Sequence, residues 1–379
     1  MEHNKLIFSK VPTLRFKKYD TNWDRKKLSD YVKKITRKNS NNVIKNVICN
    51  SAQNGLIPQL DFFDKEIANN ENTAGYYIIS NGDFVYNPRK SLSAPYGPVN
   101  IYKYDSDGIV SPLYLCFSVD DCINKSFLLQ RFKSPCWYRY IYLNGDSGAR
   151  HDRVSIKDEV FLSQPINLPN AEEQAVIAEF LEKIDERISV QNKIISDLKV
   201  LKKELCRKML SSITEYKTLC ELCSITTGKL DANANTPDGL YPFFTCGKDT
   251  LLIDNYAFDG EAILIAGNGD IGHTKYYCGK FNAYQRTYVL MNFKADAQFI
   301  KMGIDTYLPQ KISEETQGGA MPYIKLSTLT LLKIPFATEE KQLSIRNHYN
   351  AIVKKVENEM KILDLLLQQK SYFLNAMFI

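Results

Sequence analysis

Residues Ala262 to Tyr277 read AILIAGNGDIGHTKYY and carry the spacing Gly267-x-Gly269-x-x-Gly272, with which a dinucleotide-binding fold brings its backbone up to a pyrophosphate. Gly267 to Thr274 is also one residue away from a Walker A loop. Either chemistry requires a helix directly after the last glycine, because helix N-terminal N–H groups hold the phosphates. The segment that follows, HTKYYCGKFNAYQRTYVLMNF, has no 3.6-residue apolar face. Its Tyr, Phe, Thr and Val content, broken by Gly279, predicts two strands joined by a turn. His273 stands where a phosphate-binding lysine would be needed. The glycines therefore read as turn residues that supply positive φ between strands.

Other catalytic chemistry is equally poorly supported. An amino-methyltransferase holds its target amine with Asn or Asp followed by two prolines and an aromatic residue, whereas Tyr86 to Ser91 offers only Asn87-Pro88-Arg89. The four histidines, His3, His151, His273 and His348, fall in no triad or HExxH spacing. Cys220-x-x-Cys223 lacks a nearby second pair, so two small apolar residues are the better reading than zinc ligands. The expectation is a chain with no catalytic residues and no metal.

The 379 residues suffice for two domains, and 44% hydrophobic with 24% charged residues is a globular balance. No signal-peptide core and no membrane-length apolar run are visible, and nine cysteines without a framework read as free thiols, so a cytoplasmic protein is expected. Residues 1–50 carry thirteen Lys and Arg against four Asp and Glu, a local +9 within a chain of net +6. Such a concentration suits a DNA-facing surface or a merely solvated basic face.

The chain repeats itself. Leu168 to Leu210 and Ile334 to Phe378 align at an offset of 168, which brings Gln174 onto Gln342, Ile177 onto Ile345, Ile184 onto Ile352 and Leu198 onto Leu366. The seam of the first segment (Ile177, Leu181, Ile184, Ile188, Gln191, Ile195, Leu198) alternates steps of four and three, the period of a left-handed coiled coil. The second segment gives Ile345, Tyr349, Ile352, Val356, Glu359, Leu363 and Leu366, with Ile362 also counted in the seam, and the single polar break falls at the same layer in both, Gln191 and Glu359. Matching those layers in an antiparallel pair makes facing residue numbers sum to 550, so that Ile184 meets Leu366 and Ile188 meets Ile362. The flanking blocks, roughly 11–165 and 213–333, are rich in Tyr, Phe, Gly and Pro and read as non-helical, sheet-containing domains. The expected fold class is α+β: two sheet-containing domains, 1–167 and 213–333, separated by two long antiparallel coiled-coil helices in 168–212 and 334–379, with an internal pseudo-twofold repeat.

Several stretches together resemble the specificity subunit of type I restriction-modification systems over nearly the whole chain. These are VPTLRFKKYDTNWDRKKLSDYV at the start, the two helical segments, and PDGLYPFF with IDNYAFDGEAILIAGNGDIG and GKFNAYQRTYVL. The second helical region departs from the family pattern, with ATEEKQ in place of a proline-containing approach. The resemblance implies a non-catalytic subunit that reads a bipartite site in double-stranded DNA, one half-site for each of two target recognition domains, and that meets no membrane. It also implies two modification subunits that use S-adenosylmethionine and restriction subunits that use ATP and magnesium, with no cofactor bound by this chain.

Base edges are read by Arg, Lys, Asn and Gln, and phosphates by Lys, Arg and Ser. The candidates are Arg89, Lys90, Ser91 and Tyr96 in NPRKSLSAPYG, and Gly269, Asp270, His273, Lys275, Gln285 and Arg286 in and after the glycine stretch. The competing expectation is a coiled-coil adaptor with two protein-binding domains.

Overall fold

The computed structural model describes residues 11–59, 73–145, 152–316 and 323–379; His3 and His151 lie outside them. The chain divides into two compact units, one ending at Gln191 and completed by Ile362–Ile379, the other spanning Asn192–Lys361. Both long helices are thus shared between units rather than standing outside them.

Unit 1 runs β1 (Asp24–Lys27), a 3-10 turn (Leu28–Asp30), β2 (Val32–Lys34), β3 (Ile48–Ser51), β4 (Gly55–Pro58), β5 (Tyr77–Ile79), β6 (Phe84–Tyr86), β7 (Val99–Ile101), β8 (Gly108–Val110) and β9 (Leu115–Val119). Helices α1 (Lys125–Lys133), α2 (Tyr138–Asn144) and α3 (Asp158–Leu162), then β10 (Pro165–Leu168), lead into the long α4 (Ala171–Ser211). The main sheet has the order β2-β9-β6-β7, while β1 closes antiparallel on β10 with Asp24 opposite Leu168. Unit 2 begins with β11 (Tyr216–Thr218), α5 (Leu219–Leu222), β12 (Ser224–Thr227), β13 (Tyr241–Phe244), β14 (Thr250–Ile253), β15 (Phe258–Ala266), β16 (Thr274–Ala283) and β17 (Thr287–Met291). It ends with α6 (Ala297–Thr316), α7 (Leu326–Thr330), β18 (Lys333–Pro335) and the long α8 (Glu339–Ala376). Its six-stranded sheet is ordered β12-β17-β15-β16-β13-β14, and β11 closes on β18.

One plan underlies both units. A strand, a short helical turn, an edge strand, a central hairpin, a return strand, a helix, a five-residue helix and a closing strand follow in the same order, and β2-β9-β6-β7 matches β12-β17-β15-β16 pair for pair. The central strands are apolar on both faces. Ile263 and Ile265 of β15 pack with Ile300, Ile304 and Leu308 of α6, while Ala262 and Leu264 pack with Phe244, Phe281 and Val289. Phe84 and Tyr86 of β6 join the large unit 1 core, and Val85 joins the cluster on the opposite face. A strand covered on both sides reads as an unbroken apolar run, as AILIA does.

The blocks expected to be non-helical are not. Ala297–Thr316 is a helix of twenty residues containing Pro309, and its first three turns are buried on most sides, with Phe299, Ile300, Met302, Ile304 and Leu308 all at 2% exposure or less. Burial all round erases the one-sided stripe that announces a surface helix. Gly279 does not break a strand either: β16 runs through it, with φ +136° opposite Gly260 at φ +127° in β15, and the turn falls at Tyr284–Arg286 instead.

Along the long helices Ile177, Leu181, Ile184, Gln191, Ile195, Ile345, Val356, Glu359 and Leu366 are buried, and Ile188, Leu198, Ile352 and Leu363 are half-buried. Ile362 is 43% exposed, so Leu363, on the three-four period, takes its place in the seam. Within unit 1 Phe180 meets Phe373 at 4.9 Å between ring centroids and Lys370 donates to Asp185, whereas the matched-layer register would place residues 370 and 365 there. The helices are antiparallel, but this end is displaced by about one turn, because the aromatic pair and the ion pair fix the register. In unit 2 Lys202 lies over the Tyr349 ring, within one residue of the expected partner.

Several cations of the basic N-terminal stretch are used internally. Arg15 forms two 2.7 Å hydrogen bonds to Glu173, a fully buried carboxylate that also faces Trp23 Nε1 at 3.4 Å, while Lys18, Lys34 and Arg37 pair with Glu172, Asp158 and Asp107. Glu173→Ala leaves the Arg15 guanidinium, itself 11% exposed, without its charge partner. The substitution is expected to destabilise unit 1 by about 3 kcal/mol, the usual scale for breaking a buried pair, seen as a lower urea midpoint than that of a Lys18→Ala control, which changes little.

Candidate nucleic-acid interface

The equivalence of the two sheets makes the Asn87–Pro98 loop, between β6 and β7, the counterpart of the Gly267–His273 loop, between β15 and β16. Backbone bonds close each loop: Asn87 N–H donates to Pro98 O, and Ala266 N–H donates to His273 O. Inside the first, Ser91 and Ala94 exchange backbone bonds, and Gly97 at φ +84° sits where a Cβ would fall 2.1 Å from Asn87 O. The second turns on Gly269 and Gly272, at φ +63° and +75°. The glycine spacing thus serves a hairpin turn, not a phosphate-binding helix.

Each loop is propped by a strut just ahead of the five-residue helix. Lys90 N–H donates to Asp152 O and Val154 N–H to Pro88 O, pairing Arg89 with Arg153. In unit 2 Ile324 N–H donates to Gly267 O, and Gly267 N–H donates to Arg286 O in the neighbouring turn.

Beside each strut lies a concavity. In unit 1 it encloses about 450 Å³ and is lined by Asn50, Gln53, Asn87, Arg89, Lys90, Ser91, Tyr114 and Arg153. Asn50 anchors its floor, donating to Val85 O at 2.7 Å and accepting from Asn100 Nδ2 at 2.7 Å, and Asn87 donates to Asn50 O. Burial pushes the Tyr114 phenol above its usual range and so keeps it a neutral donor. In unit 2 a concavity of about 360 Å³ is lined by Thr227, Gly267, Gln285, Arg286, Tyr288, Tyr323 and Lys325.

The residues expected to meet DNA therefore separate. Arg89 and Lys90 are exposed at the first concavity, and their side chains make no hydrogen bond or ion pair with the described residues; Ser91 lines it too, its Oγ accepting from Ala94 N–H. Tyr96 is turned away: it packs on the core, its ring 4.9 Å from Tyr138 and its carbonyl accepting from Tyr86 OH, because the Pro-flanked loop folds back there. In unit 2 Arg286 is exposed and equally unengaged, while Gln285, also at the concavity, donates to Asp231 at 2.9 Å. Gly269 and His273 are exposed in the hairpin turn, outside the concavity, and Asp270 is half-buried there. Lys275 is held against Asp249 O and Thr250 Oγ1 over the Phe244 ring, and burial lowers its pKa against the pull of Asp249 and Asp270. Gln53, Arg153 and Lys325 were not legible as site residues. Arg153 is 64 positions from Arg89, and only the alignment of the two struts, each just before a five-residue helix, could have singled out Arg153 and Lys325.

Two copies of one sheet domain, each closed on its own long helix and each presenting a hairpin loop beside a cation-rimmed concavity, define a twofold internal repeat. The type I restriction modification DNA specificity domain matches residues 20–200 and again residues 213–368, and the chain belongs to this family. It is 37% identical over 164 residues to the EcoDI specificity subunit of Escherichia coli, covering 43% of this chain and 36% of that protein, about a third of its length. It is 26% identical over 326 residues to the MjaVIII specificity subunit of Methanocaldococcus jannaschii, covering 71% of this chain and 72% of that protein. The fold is similar to the S subunit of M. genitalium, with a TM-score of 0.56 at 18% identity over 97% of this chain and 99% of the other. It is also similar to a chain from a study of type I R-M complex assembly and conformational transition, with a TM-score of 0.62 at 15% identity over 93% and 96%. No helix among the described residues is long and apolar enough to cross a membrane.

The close approach at Gly267 has a measurable consequence. A Cβ there would fall 2.5 Å from Arg286 O and 3.1 Å from the Tyr288 ring, so Gly267→Ala must displace the Arg286 turn. A loss of about 1–3 kcal/mol in unfolding free energy is expected, as for other overpacked sites, against no change for Gly75→Ala, where the added methyl meets nothing within 4 Å.

Proposed function

We propose that this chain is the DNA-reading subunit of a type I restriction-modification complex and that each unit reads one half of a split target in double-stranded DNA. The observation that carries this reading is the pair of arginines, Arg89 and Arg286, each exposed at the rim of a concavity beside the same hairpin of the sheet, with a guanidinium that bonds to none of the described residues. A free guanidinium on a strand-anchored loop has the fork geometry to engage O6 and N7 of guanine. Lys90 and Lys325 beside them suit phosphates, which fix register without reading sequence.

The chain contributes no catalytic group of its own in this reading. Methyl transfer to adenine from S-adenosylmethionine belongs to two modification subunits, and ATP- and magnesium-dependent translocation and cutting to restriction subunits, all in the cytoplasm. Exposed apolar side chains on the long helices, Val190, Val200 and Leu201 on α4 and Leu343, Met360 and Leu365 on α8, offer surface for such subunits.

Methylome sequencing of a host that carries this chain with its modification subunits should show a split adenine-methylated motif. Arg89→Ala and Arg286→Ala should each relax one position in a different half, at a cost of about 1–3 kcal/mol for the correct base. Lys90→Ala should weaken binding to all sequences alike and lower the salt dependence by about one unit. An absent split motif, or an arginine variant that relaxes both halves, would refute the reading.

A further inference from the structure

The repeat preserves one side-chain connection at atomic detail. In unit 1 Gln174, in the first turn of α4 and 4% exposed, donates from Nε2 to Pro169 O at 2.9 Å and accepts at Oε1 from Asn124 N–H at 2.9 Å. Asn124 is the N-cap of α1, and its Oδ1 accepts from Phe127 N–H at 2.9 Å. In unit 2 Gln342, in the first turn of α8 and 2% exposed, donates to Ala337 O at 2.6 Å and accepts from Asp296 N–H at 3.1 Å. Asp296 precedes α6, and its Oδ1 accepts from Phe299 N–H at 2.8 Å. Donor, acceptors, capping residue and capped aromatic correspond one for one.

Each amide therefore joins three parts: the backbone where β10 or β18 turns into a long helix, the long helix itself, and the cap of the helix that follows the return strand of the sheet. Phe127 and Phe299, capped at the third helical position, are buried at 0% and 1% exposure, so each connection ends in a core.

We propose that Gln174 and Gln342 are positioning residues. Each fixes the orientation of a sheet domain on its long helix, and together they fix the number of base pairs the complex accepts between its half-sites. The proposal rests on the DNA-reading function above. A planar amide supplies a donor and an acceptor in one rigid group, so its two bonds constrain direction as well as distance. Glutamate at the same length keeps the acceptor for the cap N–H but cannot donate to the carbonyl, and methionine supplies neither bond.

The test uses the complex of this chain with its modification subunits and duplexes bearing the methylated motif with the spacer shortened or lengthened by one base pair. The wild-type complex should prefer its own spacer strongly. Gln342→Met, and separately Gln174→Met, should narrow that preference at least about tenfold while the half-site sequences stay the same. Gln342→Glu and Gln174→Glu, which keep one of the two bonds, carry the same readout should the methionine variants not fold. Variants that lose activity equally on all spacers, with the preference intact, would show a merely structural role and overturn the proposal. A wild-type complex that methylates no split motif would instead refute the DNA-reading function itself, so the two failures are told apart.

Discussion

A long helix that begins at the edge of a sheet must satisfy the backbone groups stranded where strand becomes helix, and here one primary amide does so in each unit. The buried carbonyl of Pro169 or Ala337 would otherwise lack this partner, at a cost of about 1–3 kcal/mol, and the half-buried cap N–H of Asn124 or Asp296 would lose its acceptor. Everything that could meet a ligand is arranged downstream of this junction: the capped helix packs on the sheet, the sheet carries the hairpin, and the hairpin sets the rim of the concavity. The two sheets differ in strand number, four against six, yet they are joined to their helices in the same way. The junction, more than the sheet, is the invariant of the repeat.

Periodicity exposed the parts of the fold that are one-sided. The four-three alternation from Ile177 to Leu198 describes a helix with one buried face, and Ile177, Ile184 and Ile195 are buried accordingly. Where burial is all round, the signal vanishes, which is why the sequence of Ala297–Thr316 reads as part of a non-helical block. The misplacement of Ile362 came from a register inferred by matching polar layers, whereas Phe180–Phe373 and Asp185–Lys370 govern the packing in unit 1. The glycine spacing was legible as a turn because the sequence after it is β-forming. The use of the turn was not: the prop from Ile324 and the close approach to Arg286 are long-range contacts with no local signature.

The candidate site was legible at the level of loops and less so at the level of side chains. Composition counts a cation as available, but a folded chain spends many of them. Arg15, Lys18, Lys34 and Arg37 hold carboxylates, Arg131 is wholly buried with its pKa lowered by desolvation while it donates to Gln164 and Pro165, and Lys275 is tied to backbone and threonine. What is left over at the concavities, Arg89, Lys90, Arg286 and Lys325, is a small remainder of the cations in the sequence. Selecting that remainder requires knowing which carboxylates fold next to which cations.

The short strand pairs that close each unit, Asp24–Lys27 on Pro165–Leu168 and Tyr216–Thr218 on Lys333–Pro335, bring the entering and leaving chain side by side. A segment whose two ends meet on a two-stranded ribbon can be cut out and replaced by another of different length without altering the path of the chain outside it. Each sheet domain is in this sense a cassette. A genetic exchange with both breakpoints inside the ribbons would deliver a new sheet domain in a single event, and the retained helices would receive it on the same footing as the old one.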